Sequence, residues 1–208
     1  MFEPKPTPDA PAARPVALAR QDAALATALL ELAFAGDPGV RWMFPEADRY
    51  AEHFPAFVAA FGGGAWEGGT GTRIAALAVA LWLPPGAGPD EKALIDVVER
   101  GAAPARRGQA LELFDAMGRV HPDEPHWYLP LVGTDPVAQG HGLGAALLAH
   151  TLARCDAEGL PAYLEATSER SVPLYRRLGF EVLTVLRVGT CPPITPMLRR
   201  PRAQAERR

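Results

Sequence analysis

The sequence is poor in cysteine. Cys155 and Cys191 are its two thiols. They form neither a metal-ligand spacing nor a disulfide framework, so nothing demands an oxidising compartment. A cytoplasmic location is the default expectation, and no metal is expected. No apolar run reaches the roughly eighteen residues that a membrane span needs. The proline-rich segment from Met1 to Pro15 has no apolar core of the kind a secretory signal carries. There is no internal repeat and no linker dividing the chain. At 208 residues with 48% hydrophobic content, one domain with a packed core is expected. Its boundaries are set at 14–200, with a disordered N-terminus over 1–13 and a basic disordered tail over 201–208.

Positive charge is also scarce outside one place. Of 21 basic and 24 acidic residues, Arg199, Arg200, Arg202, Arg207 and Arg208 crowd the last ten positions, with Glu206 as their one acidic neighbour. The remaining body is near −7, which favours a cationic partner such as an amine over nucleic acid. A nucleic-acid role rests on the arginine tail alone. A solvated end is the expected reading of that tail.

What the sequence does have is a glycine loop, Gln139-Gly140-His141-Gly142-Leu143-Gly144, followed by Ala145. An apolar run from Trp127 to Val132 leads into it, and a helical pattern from Ala145 to Ala157 leads out. Glycine lets backbone approach a ligand, and the first N–H groups of a helix attract phosphate. The loop lacks the Gly-Lys-Ser/Thr ending of a nucleotide-triphosphate loop. Its glycine spacing also differs from Gly-x-Gly-x-x-Gly. It does fit Gln/Arg-x-x-Gly-x-Gly/Ala through Gln139, Gly142 and Gly144.

Downstream, Leu164-Glu165-Ala166-Thr167 precedes Ser171-Val172-Pro173-Leu174-Tyr175-Arg176-Arg177-Leu178-Gly179-Phe180-Glu181. Upstream, Thr134-Asp135-Pro136 stands where Val-x-Pro would be usual. In order and spacing, these segments over about 126–185 resemble the GNAT acyltransferase superfamily; the first 120 residues resemble it loosely. The resemblance implies a mixed α/β (α+β) GNAT fold. Its central twisted sheet would have about six to seven mostly antiparallel strands, splayed at an acetyl-CoA site and flanked by helices. It implies acetyl transfer from acetyl-CoA to a primary amine, of a small molecule in the first instance. A protein or peptide N-acetyltransferase and a non-catalytic CoA-binding domain are the alternatives. A homodimer is compatible with the resemblance.

The pattern along the chain predicts a strand over 15–20 and helices over 22–34 and 45–61. It predicts a short strand at Ala65-Trp66-Glu67, a hairpin turn at 68–71 and one long buried strand from Ile74 to Leu83. Helices over 91–98 and 109–117 form an insertion. Strands are expected at 127–132, 161–166 and 181–188, with a last edge strand at 194–198. A helix is expected over 171–178. Pro130 cannot donate to a strand ladder and marks a bulge or an unpaired edge.

The resemblance assigns acetyl-CoA contacts to Leu131, Val132, Gly133 and Thr134, to Gln139, Gly140, His141, Gly142, Leu143, Gly144 and Ala145, and to Ser171. Ser171 stands where asparagine is usual, and Gln139 where arginine is common. Tyr175 is the expected acid for the leaving sulfur and Glu165 the first choice of base, with His121 and His126 as other candidates. Asp37, Arg41, Trp42 and His126 are expected to face the acceptor.

Overall fold

The computed structural model describes residues 14–202. The expected disordered segment 1–13 and most of the basic tail lie outside these residues. Seven strands form one sheet: β1 Val16–Ala17, β2 Thr72–Ile74, β3 Ala78–Leu83, β4 Trp127–Thr134, β5 Ala162–Ala166, β6 Glu181–Val182 and β7 Thr195–Arg199. Their spatial order is β1-β2-β3-β4-β5-β7-β6. Every pairing is antiparallel except β4 with β5.

Helices α1 Ala23–Phe34, α2 Pro38–Met43, α3 Ala47–Gly62, α4 Gly64–Glu67, α5 Glu91–Gly101 and α6 Arg107–Val120 precede β4. Helix α7, Leu143–Glu158, follows β4, and α8, Val172–Arg177, follows β5. The period-two pattern of the strands divides the core in two. Val79, Leu81 and Leu83 of β3 pack with α1, α3, α5 and α6 on one face. Ala78, Ala80 and Trp82 pack with α7 on the other. Glu165 shares its side of β5 with Tyr163, and so lies toward the first face.

The sequence pattern misplaces four features. Ala65-Trp66-Glu67 is a helical turn, α4, continuing from α3 through the Gly63 N–H to Ala59 carbonyl bond, so 68–71 joins a helix to β2 and is not the expected hairpin turn. Two strands replace the long one from Ile74: β2 ends there, and the chain turns through Ala75 to Leu77. Ala75 makes this turn at φ 48°, a conformation usually left to glycine, so no turn signal stands in the sequence. The strand expected over 181–188 stops at Val182, with one further bridge between Leu186 and Ile194. Strand β7 is interior, between β5 and β6, rather than an edge.

Strand β4 carries the feature that matters for function. Leu83 pairs with Tyr128 but Leu81 pairs with Leu131, so β4 has one more residue than β3 across this step. That bulge contains Pro130, which has no N–H to give. On the other side of β4, pairing with β5 ends at Leu129 with Leu164. Beyond Pro130 the two parallel strands part. β4 stays with β3 through Thr134, and β5 stays with β7 through Ala166.

Candidate active site

The glycine loop closes the open end of this gap. Asp135 caps a short turn over Pro136–Ala138 by accepting from the Val137 N–H at 2.9 Å. Gly140 and Gly142 then take φ of 82° and 79°. Gly142 is the residue from which α7 starts. A Cβ added at either glycine would meet nothing within 4 Å, so the loop backbone is open to an approaching ligand. The N–H groups of Leu143, Gly144 and Ala145 begin a sixteen-residue helix and have no acceptor among the described residues. These donors, at the positive end of the α7 dipole, suit a diphosphate.

Two polar side chains flank the loop. Gln139 donates from its amide to the Thr134 carbonyl at 3.2 Å. Arg170 donates to the Gln139 carboxamide oxygen at 3.3 Å. The positive charge missing from position 139 is thus supplied from the segment before α8. Sequence pattern gave no sign of Arg170, which lies thirty-one residues away and meets Gln139 through the fold. Ser171 donates to the Ser168 carbonyl at 2.7 Å.

Inside the gap is a narrow slot of about 80 Å³, lined by Leu129, Pro130, Leu131 and Val132 on one side and Leu164, Glu165 and Thr167 on the other. Tyr175 of α8 also lines it. Its phenol is pushed up to about 12, mainly by burial and partly offset by the Ser171 hydroxyl. Tyr175 is therefore neutral near pH 7 and offers a proton rather than accepting one. Gly133 has a structural reason of its own: an added Cβ would lie 2.7 Å from Ala33 and 3.0 Å from Leu30, against which β4 packs.

At the vertex, the Glu165 side chain is only 4% exposed, and its Oε1 makes no hydrogen bond among the described residues. A buried carboxylate oxygen without a donor is costly, which points to a role rather than to packing. Burial pushes the phenols of Tyr128 and Tyr163 well above the usual tyrosine range, and the Glu165 carboxylate beside them pushes both further. The His121 ring sits edge-on against both tyrosines, with centroids 4.9 Å and 4.6 Å away. Its Nδ1 is 3.8 Å from Glu165 Oε1. Its Nε2 is 2.9 Å from Nε2 of His126, whose Nδ1 is 2.7 Å from the Glu124 carbonyl.

A helix start with N–H groups unpaired among the described residues, a splayed strand pair and a buried carboxylate at its vertex mark the site. The family model described as acetyltransferase (GNAT) family matches residues 50–180, more than half of the chain. The chain belongs to that family. This acetyltransferase aligns with a crystal structure described as histone acetyltransferase and related acetyltransferase from Corynebacterium glutamicum, at 30% identity and TM-score 0.62. The alignment covers 92% of this chain and 98% of that one. An uncharacterised N-acetyltransferase of Schizosaccharomyces pombe is 32% identical over 87 residues, 40% of this chain and 35% of that protein. A mycothiol acetyltransferase of Mycolicibacterium gilvum is 46% identical over 61 residues, 26% of this chain and 20% of that protein. The matched stretch therefore spans about a third of the first curated relative and a fifth of the second. The family likeness reaches well upstream of residue 120, where the sequence by itself resembled it loosely. The chain is an acyltransferase, and its family uses acetyl-CoA as acyl donor.

In this acetyltransferase the expected acceptor residues are mostly engaged elsewhere. Asp37 caps α2, accepting from the Gly39 and Val40 N–H groups at 3.0 Å each. Its second oxygen accepts from the Thr167 hydroxyl at 2.5 Å, tying α2 to the end of β5. Burial pushes this carboxyl above the usual carboxylate range. Arg41 donates to the Pro45 carbonyl at 2.6 Å and lies over the Tyr50 ring. Trp42 is buried, donates to the Thr190 hydroxyl at 3.0 Å and carries Arg106 over its ring. None of the three lines the slot. His126 reaches the site through His121. The basic tail is also corrected in part. Arg199 is buried, donates to both oxygens of Asp156 at 2.8 and 2.7 Å, and donates to the Leu178 carbonyl. Arg200 pairs with Glu124.

Among the described residues, no group of three or more His, Cys, Asp or Glu is arranged to hold a metal, and no helix is long and apolar enough to cross a membrane.

Proposed function

We propose that this enzyme transfers an acetyl group from acetyl-CoA to the primary amine of a small molecule by direct attack, with Glu165 as base. The observation that carries this reading is the buried, undonated Oε1 of Glu165 at the vertex of the splay. In the reaction the amine nitrogen bonds to the thioester carbonyl carbon and the C–S bond breaks. One proton must leave the nitrogen, and the sulfur departs as a thiolate that takes its proton from solvent. The loop amides of residues 143–145 and Arg170 hold the diphosphate. The backbone of Leu131 to Thr134, unpaired on the side facing β5, lines the acyl arm and supplies donors for the oxyanion.

Glu165 takes the amine proton, and two histidines carry it away. The Glu124 carbonyl can only accept, so His126 Nδ1 bears a hydrogen and its Nε2 is a bare acceptor. His121 Nε2 then donates to it, leaving His121 Nδ1 bare toward Glu165. A proton arriving at Nδ1 releases one at Nε2 to His126, which passes its own toward solvent. Burial holds His126 below the usual histidine range, so it is neutral and receptive at pH 7.

Tyr175 serves the leaving group. Its phenol, at about 12, is a weaker acid than an ordinary thiol, so it stabilises the departing thiolate as a hydrogen-bond donor more than by full proton transfer. The test is calorimetric binding of acetyl-CoA, followed by thiol release with primary amines. Selective binding and amine-dependent thiol release are expected. Tyr175→Phe should lower turnover about 10- to 100-fold, the effect of a lost hydrogen bond to a charged group, with acetyl-CoA affinity unchanged. Unchanged turnover would remove Tyr175 from the mechanism.

A further inference from the structure

A second cavity lies on the α5–α6 side of Glu165. It is an open cleft of about 920 Å³, at the upper end of the roughly 300–1,000 Å³ usual for small-ligand sites. Glu165 and Tyr128 form its inner end. Its walls are apolar, with Leu94 from α5 and Leu111, Phe114 and Met117 from α6. Its rim is acidic: Glu91, Asp115 and Asp123 are exposed there, with Arg119 standing against them. The cleft and the slot share Phe61, Phe114, Met117 and Glu165, so they meet at the carboxylate.

We propose that this cleft is the acceptor site and that its ligand is a small amine with an apolar stem and a second positive charge at the far end. The proposal rests on the acetyl-transfer reading and narrows its acceptor. Two independent observations carry it. The first is the unpartnered Oε1 of Glu165, buried at the inner end, which is where a reacting amine would find its acceptor. The second is the order of chemistry outward from it: carboxylate, apolar walls, then a carboxylate rim. A dication with a hydrocarbon middle matches that order group for group. A neutral tail leaves the rim unused, and an anionic tail is repelled by it. The volume suits a small molecule. The helices that build the walls are the insertion between β3 and β4, so the class of acceptor is decided by a part of the chain outside the loop and the splay.

The experiment uses the full chain, acetyl-CoA at saturation and acceptors with one common stem: 1,6-diaminohexane, hexylamine, 6-aminohexanol and 6-aminohexanoate. After the twofold statistical factor for two equivalent amines, the diamine should exceed the aminoalcohol in kcat/KM by about three- to tenfold, the range of a partly screened ion pair. The aminoacid should be the poorest. High salt should compress the ranking. The double variant Asp115→Asn, Asp123→Asn should bring diamine and aminoalcohol within about twofold of each other. Thiol release without any ranking by tail charge, or with the aminoacid ahead, would overturn the dicationic class while leaving amine acetylation standing. A lysine-bearing peptide outrunning all four amines would overturn the small-molecule assignment. No thiol release with any acceptor, although acetyl-CoA binds, would overturn the amine reading together with this one.

Discussion

His126 and His121 face each other nitrogen to nitrogen at 2.9 Å, and the Glu124 carbonyl fixes which of them donates. The pair lies between the buried Glu165 carboxylate, 3.8 Å from His121 Nδ1, and the exposed Glu124. If it carries the proton, His126→Phe should lower kcat about tenfold or more and leave the KM for acetyl-CoA unchanged. The pH profile supplies a second readout. His126 lies below the usual histidine range because burial disfavours its charge. The acid limb of kcat in the wild type should therefore fall below about pH 6.5. In His126→Phe that limb should move or vanish. A packing role would lower stability without moving it.

Glu165→Gln should reduce kcat by about a hundredfold or more, the usual scale for loss of a positioned base. Thermal unfolding gives the contrast. The carboxylate is buried with one oxygen undonated, so replacing it with a neutral amide should leave Tm unchanged or raise it. A large fall in Tm would mean that Glu165 holds the core together.

Arg170→Ala tests the loop. Arg170 is exposed and joined to Gln139 at 3.3 Å, beside the donors that begin α7. Its removal should raise the KM for acetyl-CoA about three- to tenfold with kcat little changed. The salt dependence of that KM should also weaken, because one charge no longer meets the diphosphate. An unchanged KM at low salt would show that the loop amides suffice.

Arg199 and Asp156 make the fourth case. The Arg199 guanidinium holds the Asp156 carboxyl below the usual carboxylate range. As pH falls past about 4, the unfolded chain takes up this proton before the folded chain does, so the stability from this pair is present above that pH and lost below it. Asp156→Ala leaves a buried guanidinium without its partner and should cost about 2–4 kcal/mol near neutral pH, measured by denaturant unfolding. The same variant should show a shallower loss of stability on acidification.

Where local chemistry dictates the outcome, the sequence was readable. The glycines at 140 and 142 are needed because both take positive φ, and the loop with its helix stood in plain view. Pro130 marked the bulge because a residue without an N–H cannot complete a ladder. Glu165 is the first choice of base from its place on the strand beside the gap; which face of the sheet it shares was decided by the fold. The hairpin at Ala75 was hidden because it uses an alanine at φ 48° inside an apolar run. The helical turn at Ala65 was hidden because two buried residues among glycines fit either period.

By itself, then, the sequence determined the parts whose physics lies within a few residues: the glycine loop, the strand break, the tyrosine helix and the family they resemble. The tertiary structure decided everything that depends on distant residues sharing a place. It brought Arg170 to Gln139, set His121 edge-on against two tyrosines and placed His126 behind it. It spent Asp37 and Trp42 on holding α2 in position. It also turned an insertion of two helices into the apolar walls of a cleft with an acidic rim. A carboxylate's neighbours set its charge, its reach and its partner, and those neighbours are chosen by packing across the fold rather than by order along the chain.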